Sequence, residues 1–333
     1  MEPTLKQFNI KRTKAYSKDE QAENFLLEMN RLLMEREQSL YKNFEIAHPF
    51  LFIFGAPRSG TTLLTQLIAA SLDVGYINNL MARFWLAPVH GIRLSRHVLG
   101  NDREITFRSH YARTAAITDI HEFGYFWRYW LKKESVRGVT HAAEIEMEID
   151  WQGLRTTLAN IQHEFDRAMV FKNIFGSYHL RKMREVLGKV IYIYIERDPL
   201  DTAISILDAR RNYYTDLNTW WSYMPVEYNL LKDRDYMEQI AGQVYFLRRY
   251  YRKRLQDDAA GISVQIDYET LCRQPADVLN RIRELAFQQY GTEILITTPP
   301  PQQFPFRTYD DREEEKAKFQ QLLEKFAETY DEE

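Results

Sequence analysis

Leu51-Phe52-Ile53-Phe54-Gly55-Ala56-Pro57-Arg58-Ser59-Gly60-Thr61-Thr62 is the stretch on which the reading of this chain turns. It opens with a short run of apolar, strand-forming residues. A loop bracketed by Gly55 and Gly60 follows, and then Leu63, Leu64, Leu67 and Ile68 recur at helical spacing. Strand, glycine loop and helix make a cradle for phosphate. The glycines let the backbone bend close to a ligand. The free N–H groups and the dipole of the helix start favour an anion there.

The loop is close to a Walker A sequence and differs at one informative place. Gly55 and Gly60 have the Walker spacing and Thr62 holds the Ser/Thr position, but Thr61 stands where the lysine belongs. The only cation in the loop is Arg58. Enzymes that cleave ATP or GTP use that lysine on the β- and γ-phosphates. Its loss points to a different phosphorylated ligand.

Outward from the loop, strands and helices alternate. Ala168–Phe171 reads as a strand ending at Lys172, and Leu180, Met183, Val186 and Leu187 share a helix face that Gly188 closes. Val190–Ile195 is a continuous β-rich run, as a strand covered on both faces should be. It ends at Glu196-Arg197, and Asp198 caps a helix with Pro199 at its first position. A long helix over about 235–255, a strand over 262–266, a helix over 275–290 and a charged helix over 311–329 follow. The fold class predicted is α/β: a P-loop-like three-layer fold with a central parallel sheet flanked by helices. Ligands of such sheets bind beyond the C-terminal ends of the strands, where Gly55, Lys172 and Arg197 all fall.

The chain is read as one domain over 1–333. The nucleotide-binding core occupies 50–71 and 168–290. Residues 1–48 are a helical extension, with Phe25, Leu26, Met29, Leu32 and Leu33 as the stripe packed on the core. Residues 72–167 form a helical, aromatic-rich insertion in which an acceptor site could sit, although most of its aromatics are expected to be core.

Composition sets the outer limits. Hydrophobic content of 45% supports a full core, and a net charge of −3 gives no reason to expect nucleic acid as a partner. The single cysteine, Cys272, cannot form an internal disulfide. No stretch reaches the length of a membrane span and the start of the chain has no apolar signal core, so a cytoplasmic protein is expected.

A second phosphate signature lies at Arg197 and Ser205. Arginine takes a phosphate with two parallel hydrogen bonds. A serine eight positions on, along the following helix, leans back toward the same place. Together the two signatures fit a nucleotide with phosphates at both ends.

At these residues the chain resembles the sulfotransferases that use 3′-phosphoadenylyl sulfate (PAPS). Pro57-Arg58-Ser59-Gly60-Thr61-Thr62 is similar to their 5′-phosphosulfate loop, in the arginine form of bacterial, carbohydrate and tyrosylprotein enzymes. Arg197 and Ser205 match the family's 3′-phosphate motif. Lys172 looks like the lysine after the second strand, and Tyr268-Glu269 with Pro275 like a Tyr-Glu…Pro segment. The resemblance runs from about Phe50 to Ala286. It implies PAPS as co-substrate, no metal, and transfer of a sulfuryl group to an acceptor hydroxyl, above all of a carbohydrate or other small metabolite. It further implies that Arg58, Ser59, Gly60, Thr61, Thr62, Arg197 and Ser205 bind the donor, with Arg58 on the leaving phosphate. Lys172 is placed for the transferring group.

One expected feature is missing. Tyrosylprotein and several bacterial members carry a glutamate base shortly after the first helix, where this chain reads Gly75-Tyr76-Ile77-Asn78-Asn79. The candidates for the base are Glu122 first and His121 second. A P-loop kinase or NTPase, and a non-catalytic nucleotide-binding protein that lacks the base, are the alternatives.

Overall fold

In the computed structural model, residues 10–331 are described, apart from 101 and 112; the part of the helical extension read over 1–9 lies outside them. Helix α1 spans Glu20–Leu40, strand β1 Phe50–Phe54 and helix α2 Thr61–Ser71. Next come β2 (Gly75–Tyr76), α3 (Pro88–Leu99), a ribbon of β3 (Ser109–His110) and β4 (Arg113–Thr114), α4 (Gly124–Trp130) and α5 (Trp151–Phe165). The second half brings β5 (Met169–Lys172), α6 (Leu180–Leu187), β6 (Val190–Glu196), α7 (Pro199–Tyr213) and α8 (Tyr236–Asp258). It closes with β7 (Ser263–Asp267), α9 (Tyr268–Arg273), α10 (Pro275–Tyr290) and α11 (Glu313–Tyr330).

The five-stranded sheet has the order β2-β5-β1-β6-β7, and every pairing is parallel. Side chains alternate across it. Phe50, Phe52, Phe54, Tyr192 and Tyr194 enter one core, where Leu154 and Leu158 of α5, Met183 of α6 and Tyr251 of α8 meet them. Leu51, Ile53, Ile191, Ile193 and Ile195 enter the other, covered by Leu64 and Leu67 of α2 and by Val278, Leu279 and Ile282 of α10. The period-two segregation yields the expected three layers. Each such side chain contributes about 1.5–3 kcal/mol of burial.

The strand order also fixes the site. β1 lies between β5 on one side and β6 on the other, so the loop after β1 stands between the ends of the two strands that carry Lys172 and Arg197. The expected caps form: Asp198 accepts from the Asp201 N–H at the start of α7, and Gly188 ends α6 with φ of 72°.

Two features depart from the sequence reading. Residues 72–167 also supply an edge strand, β2, and the helix α5 that covers the sheet. And the α1 stripe does not all face the core. Leu26 packs on it, but Phe25 and Leu32 are 65% and 79% exposed. The fully buried positions of α1 are Asn30 and Glu37. Asn30 donates to the Arg83 carbonyl and accepts from the Leu86 N–H, both at 2.8 Å. Glu37 accepts from the Val89 N–H at 2.6 Å, capping the start of α3. The helix is docked by polar contacts that a hydrophobic period cannot reveal.

Candidate active site

The loop after β1 is shaped by two close approaches. A Cβ on Gly55 would lie 2.3 Å from the Ile195 carbonyl oxygen, so only glycine fits there. Gly60 has φ of 102° and faces the Tyr268 ring, which a Cβ would meet at 2.6 Å. It stands at the N-terminus of α2, whose first turn has no acidic residue and no side-chain cap. Arg58 holds φ of 70°. That left-handed backbone costs a non-glycine residue about 1–3 kcal/mol and persists only where surroundings enforce it. It turns the guanidinium inward.

On the β6 side, Arg58, Arg197 and Ser205 form one cluster. Arg58 Nε donates to Ser205 Oγ at 2.9 Å. Arg197 donates to the Arg58 carbonyl at 3.3 Å and to the Arg307 carbonyl at 2.6 Å. Its guanidinium lies 4.8 Å from the Tyr268 ring centre and 5.6 Å from that of Tyr309, while Arg58 sits 5.1 Å from Tyr111. Among the described residues neither arginine has a carboxylate partner. The local acids are committed elsewhere: Glu196 to Arg248 and Arg252, Asp198 to its cap, and Asp201 to Lys316 and the Tyr309 N–H. Burial pushes the Arg58 pKa below the usual arginine value, with Tyr309 and Tyr111 opposing and the Arg197 charge adding to the fall. Buried Arg197 Nε and Ser59 Oγ have no hydrogen-bond partner. Two unneutralised cations, Arg197 buried and Arg58 half-buried, beside orphaned polar atoms form a site that favours an anion.

On the β5 side, Lys172 is 6% exposed. Its Nζ donates to Thr62 Oγ1 at 3.2 Å and forms an ion pair with Glu122, whose side chain is 35% exposed. The segment carrying Glu122 is pinned next to α2: the buried Asp119 carboxylate accepts from Gln66, Thr106 and the Ile120 N–H. His121 is open at the surface on one side but crowded by protein. Loss of water holds its pKa below the usual histidine value, against the pull of Glu122. Its Nδ1 accepts from the Phe123 N–H at 2.9 Å. The neutral ring therefore carries its proton on Nε2, where it donates and does not accept. Asn78, in the stretch that lacks the expected glutamate, is a structural residue: it accepts from the Leu80 and Met81 N–H groups and donates to Ser95.

All ten residues singled out in the sequence thus lie around one loop, in two groups. Arg58, Arg197 and Ser205 are on one side, Lys172, His121 and Glu122 on the other, and Ser59 to Thr62 lie between. Sequence reasoning missed Tyr111, Tyr309 and the segment 302–312. That segment crosses the Arg197 side: Phe304 N–H donates to the Cys272 carbonyl at 2.7 Å, and Tyr309 N–H to Asp201 at 3.2 Å. No spacing signal marks these contacts. Tyr268, noted only as part of a resemblance, acquires a reason: its ring faces both Gly60 and Arg197. Among the described residues no helix is long and apolar enough to cross a membrane, and no cluster of His, Cys, Asp and Glu is arranged to hold a metal.

No curated protein matches the chain. Among solved structures, a sulfotransferase from Mycobacterium tuberculosis H37Rv superposes with a TM-score of 0.54 at 14% identity, covering 97% of this chain and 89% of that one. One from Mycobacterium avium superposes at 0.52 and 13% identity, covering 90% and 81%. At such identity these matches speak to the fold. The sulfotransferase family profile matches residues 49–287, from the residue before β1 into α10. The chain belongs to the sulfotransferase family and is a sulfotransferase enzyme.

Proposed function

We propose that this enzyme transfers a sulfuryl group from PAPS to an acceptor hydroxyl of a carbohydrate or other small metabolite. The observation that carries the donor is the pair of arginines without a carboxylate, Arg197 buried and Arg58 half-buried, next to a glycine loop at a helix N-terminus. In this reading the 3′-phosphate takes Arg197 and Ser205 in place of the carbonyls that now hold Arg197. The 5′-phosphate takes the N–H groups and hydroxyls of Ser59 to Thr62. Arg197 with Ser205 and the loop Ser59 to Thr62 then take the two ends of one nucleotide, and Lys172, His121 and Glu122 face the transferring group and the acceptor.

The chemistry follows from the same residues. The acceptor oxygen attacks sulfur as the bond from sulfur to the 5′-phosphate oxygen breaks, in line with the leaving group. Negative charge grows on that oxygen, where Arg58 and the α2 N-terminus stabilise it. Lys172, held by Thr62 and Glu122, faces the oxygens of the transferring group. The acceptor proton passes to the Glu122 carboxylate. His121 donates from Nε2 and orients the acceptor. Residues 72–167 supply the acceptor wall within a single domain.

Binding of the product nucleotide, 3′-phosphoadenosine 5′-phosphate, tests the donor assignment. At a hundred times its dissociation constant it should stabilise the fold by roughly 2.7 kcal/mol, without added metal. Arg197→Ala should weaken that nucleotide by tenfold or more, on the order of one charge-assisted hydrogen bond. Adenosine 5′-phosphate should bind wild type and variant alike. Calorimetry showing no affinity for the bisphosphate, or an equal loss with the 5′-monophosphate, removes the assignment.

A further inference from the structure

The acceptor wall carries more positive charge than catalysis uses. His121 and Glu122 are flanked by two elements, the turn Met81–Arg83 and helix α4, and each presents an arginine. Arg83 ends its turn, and Asn30 fixes its carbonyl. Two residues on, Trp85 meets the Tyr125 ring at 4.9 Å, which joins the turn to α4. Arg128 follows Tyr125 by three positions and so lies on the same face of α4. Its guanidinium is 5.5 Å from the Phe175 ring, which in turn meets Tyr223 at 5.1 Å. Both arginines are exposed, and neither side chain has an ion pair or hydrogen bond among the described residues.

The acids of this wall are already taken. Glu122 pairs with Lys172, and Glu23 takes both Lys18 and the Tyr125 hydroxyl. A third arginine, Arg12, is held to Tyr214 by a backbone bridge and leaves Nε and Nη1 buried without a partner. It lies within charge range of Lys18 and Tyr125. Isolated surface arginines are ordinarily just solvated. Here two exposed arginines without an acid partner, Arg83 on the His121 side and Arg128 on the Tyr223 side, flank the segment that carries Glu122, in a chain whose net charge is −3.

We infer that the acceptor is itself an anion: a hydroxyl compound, such as an acidic sugar, whose carboxylate or sulfate is held by Arg83 and Arg128 while its hydroxyl faces Glu122. This rests on the sulfotransferase chemistry above and narrows its substrate. The reaction then adds a second negative group to a substrate that already carries one. Arginine at both positions suits fork-shaped pairing with an oxyanion.

The test is transfer of labelled sulfate to acceptors in charged and neutral pairs: methyl glucuronoside against its methyl ester, methyl glucoside 6-sulfate against methyl glucoside, and hydroxybenzoate against phenol. Anionic members should be favoured by about tenfold or more in kcat/KM, and the preference should shrink with added salt. The first two pairs separate carboxylate from sulfate. Arg83→Gln and Arg128→Gln should each raise KM for the anionic member and move the charged-to-neutral ratio toward one, with partial rescue by lysine. Neutral partners used as well as anionic ones would overturn the inference. So would a failure to sulfate any anionic member by enzyme that binds 3′-phosphoadenosine 5′-phosphate normally. Loss of that nucleotide binding would instead strike the donor assignment, so the two failures are distinguishable.

Discussion

Arg58→Ala is expected to cut transfer by about a hundredfold or more while weakening the product nucleotide far less. Charge develops on the leaving phosphate only as the bond to sulfur breaks. A guanidinium aimed there contributes mainly in the transition state. In the structure Arg58 donates to Ser205. Its removal leaves the Ser205 oxygen without that donor, a loss of about 1 kcal/mol that falls on the stability of the fold. Alanine at the same left-handed backbone keeps the loop conformation that arginine already adopts. Arg58→Lys is the informative companion: it restores the charge but not the forked donor. Single-turnover transfer with labelled donor, beside calorimetry with the bisphosphate, separates the two effects. An equal loss in both would make Arg58 a plain binding residue.

Glu122→Gln should bind donor normally and lose turnover by about a hundred- to ten-thousandfold, because a carboxamide cannot take the acceptor's proton. It still accepts a hydrogen bond from Lys172, so the wall should stay in place. His121→Asn is the matched control. With Nδ1 occupied by the Phe123 N–H, the ring can orient an acceptor but not deprotonate it, so the loss there should be smaller and fall more on KM. If His121→Asn is the inactive variant while Glu122→Gln turns over, the base is the histidine. If both are fully active, the base lies elsewhere in 72–167, and the acceptor wall must be redrawn.

The nucleotide side was legible because its signals are local and redundant. β1 and β6 are covered on both faces and so read as unbroken apolar runs. Asp198, Pro199 and Gly188 mark helix ends by their own chemistry. The acceptor side was less legible. β2 has two residues, too few for any period. α5 does carry an apolar series, Leu154, Leu158 and Ile161, but it follows an aromatic run that looks equally like core or site wall. On α1 the periodic residues misled, since Asn30 and Glu37 dock the helix through hydrogen bonds. Tyr111 and Tyr309 reach Arg58 and Arg197 only through the tertiary fold.

The segment 302–312 bears on timing. It is tethered at one end by the bond from Phe304 to Cys272. At the other it runs into α11, whose Phe319 and Phe326 are buried with α7 and α8. A stretch anchored at both ends can bow outward but cannot swing away. Its carbonyl at Arg307 accepts from Arg197, the residue proposed to take the 3′-phosphate. Under that proposal nucleotide exchange is a contest between two occupants of one arginine, and the tail is expected to fall back on Arg197 as the spent nucleotide leaves. Slower amide exchange at Phe304 and Tyr309 on ligand removal would be its mark; faster exchange would mean the tail only follows the ligand.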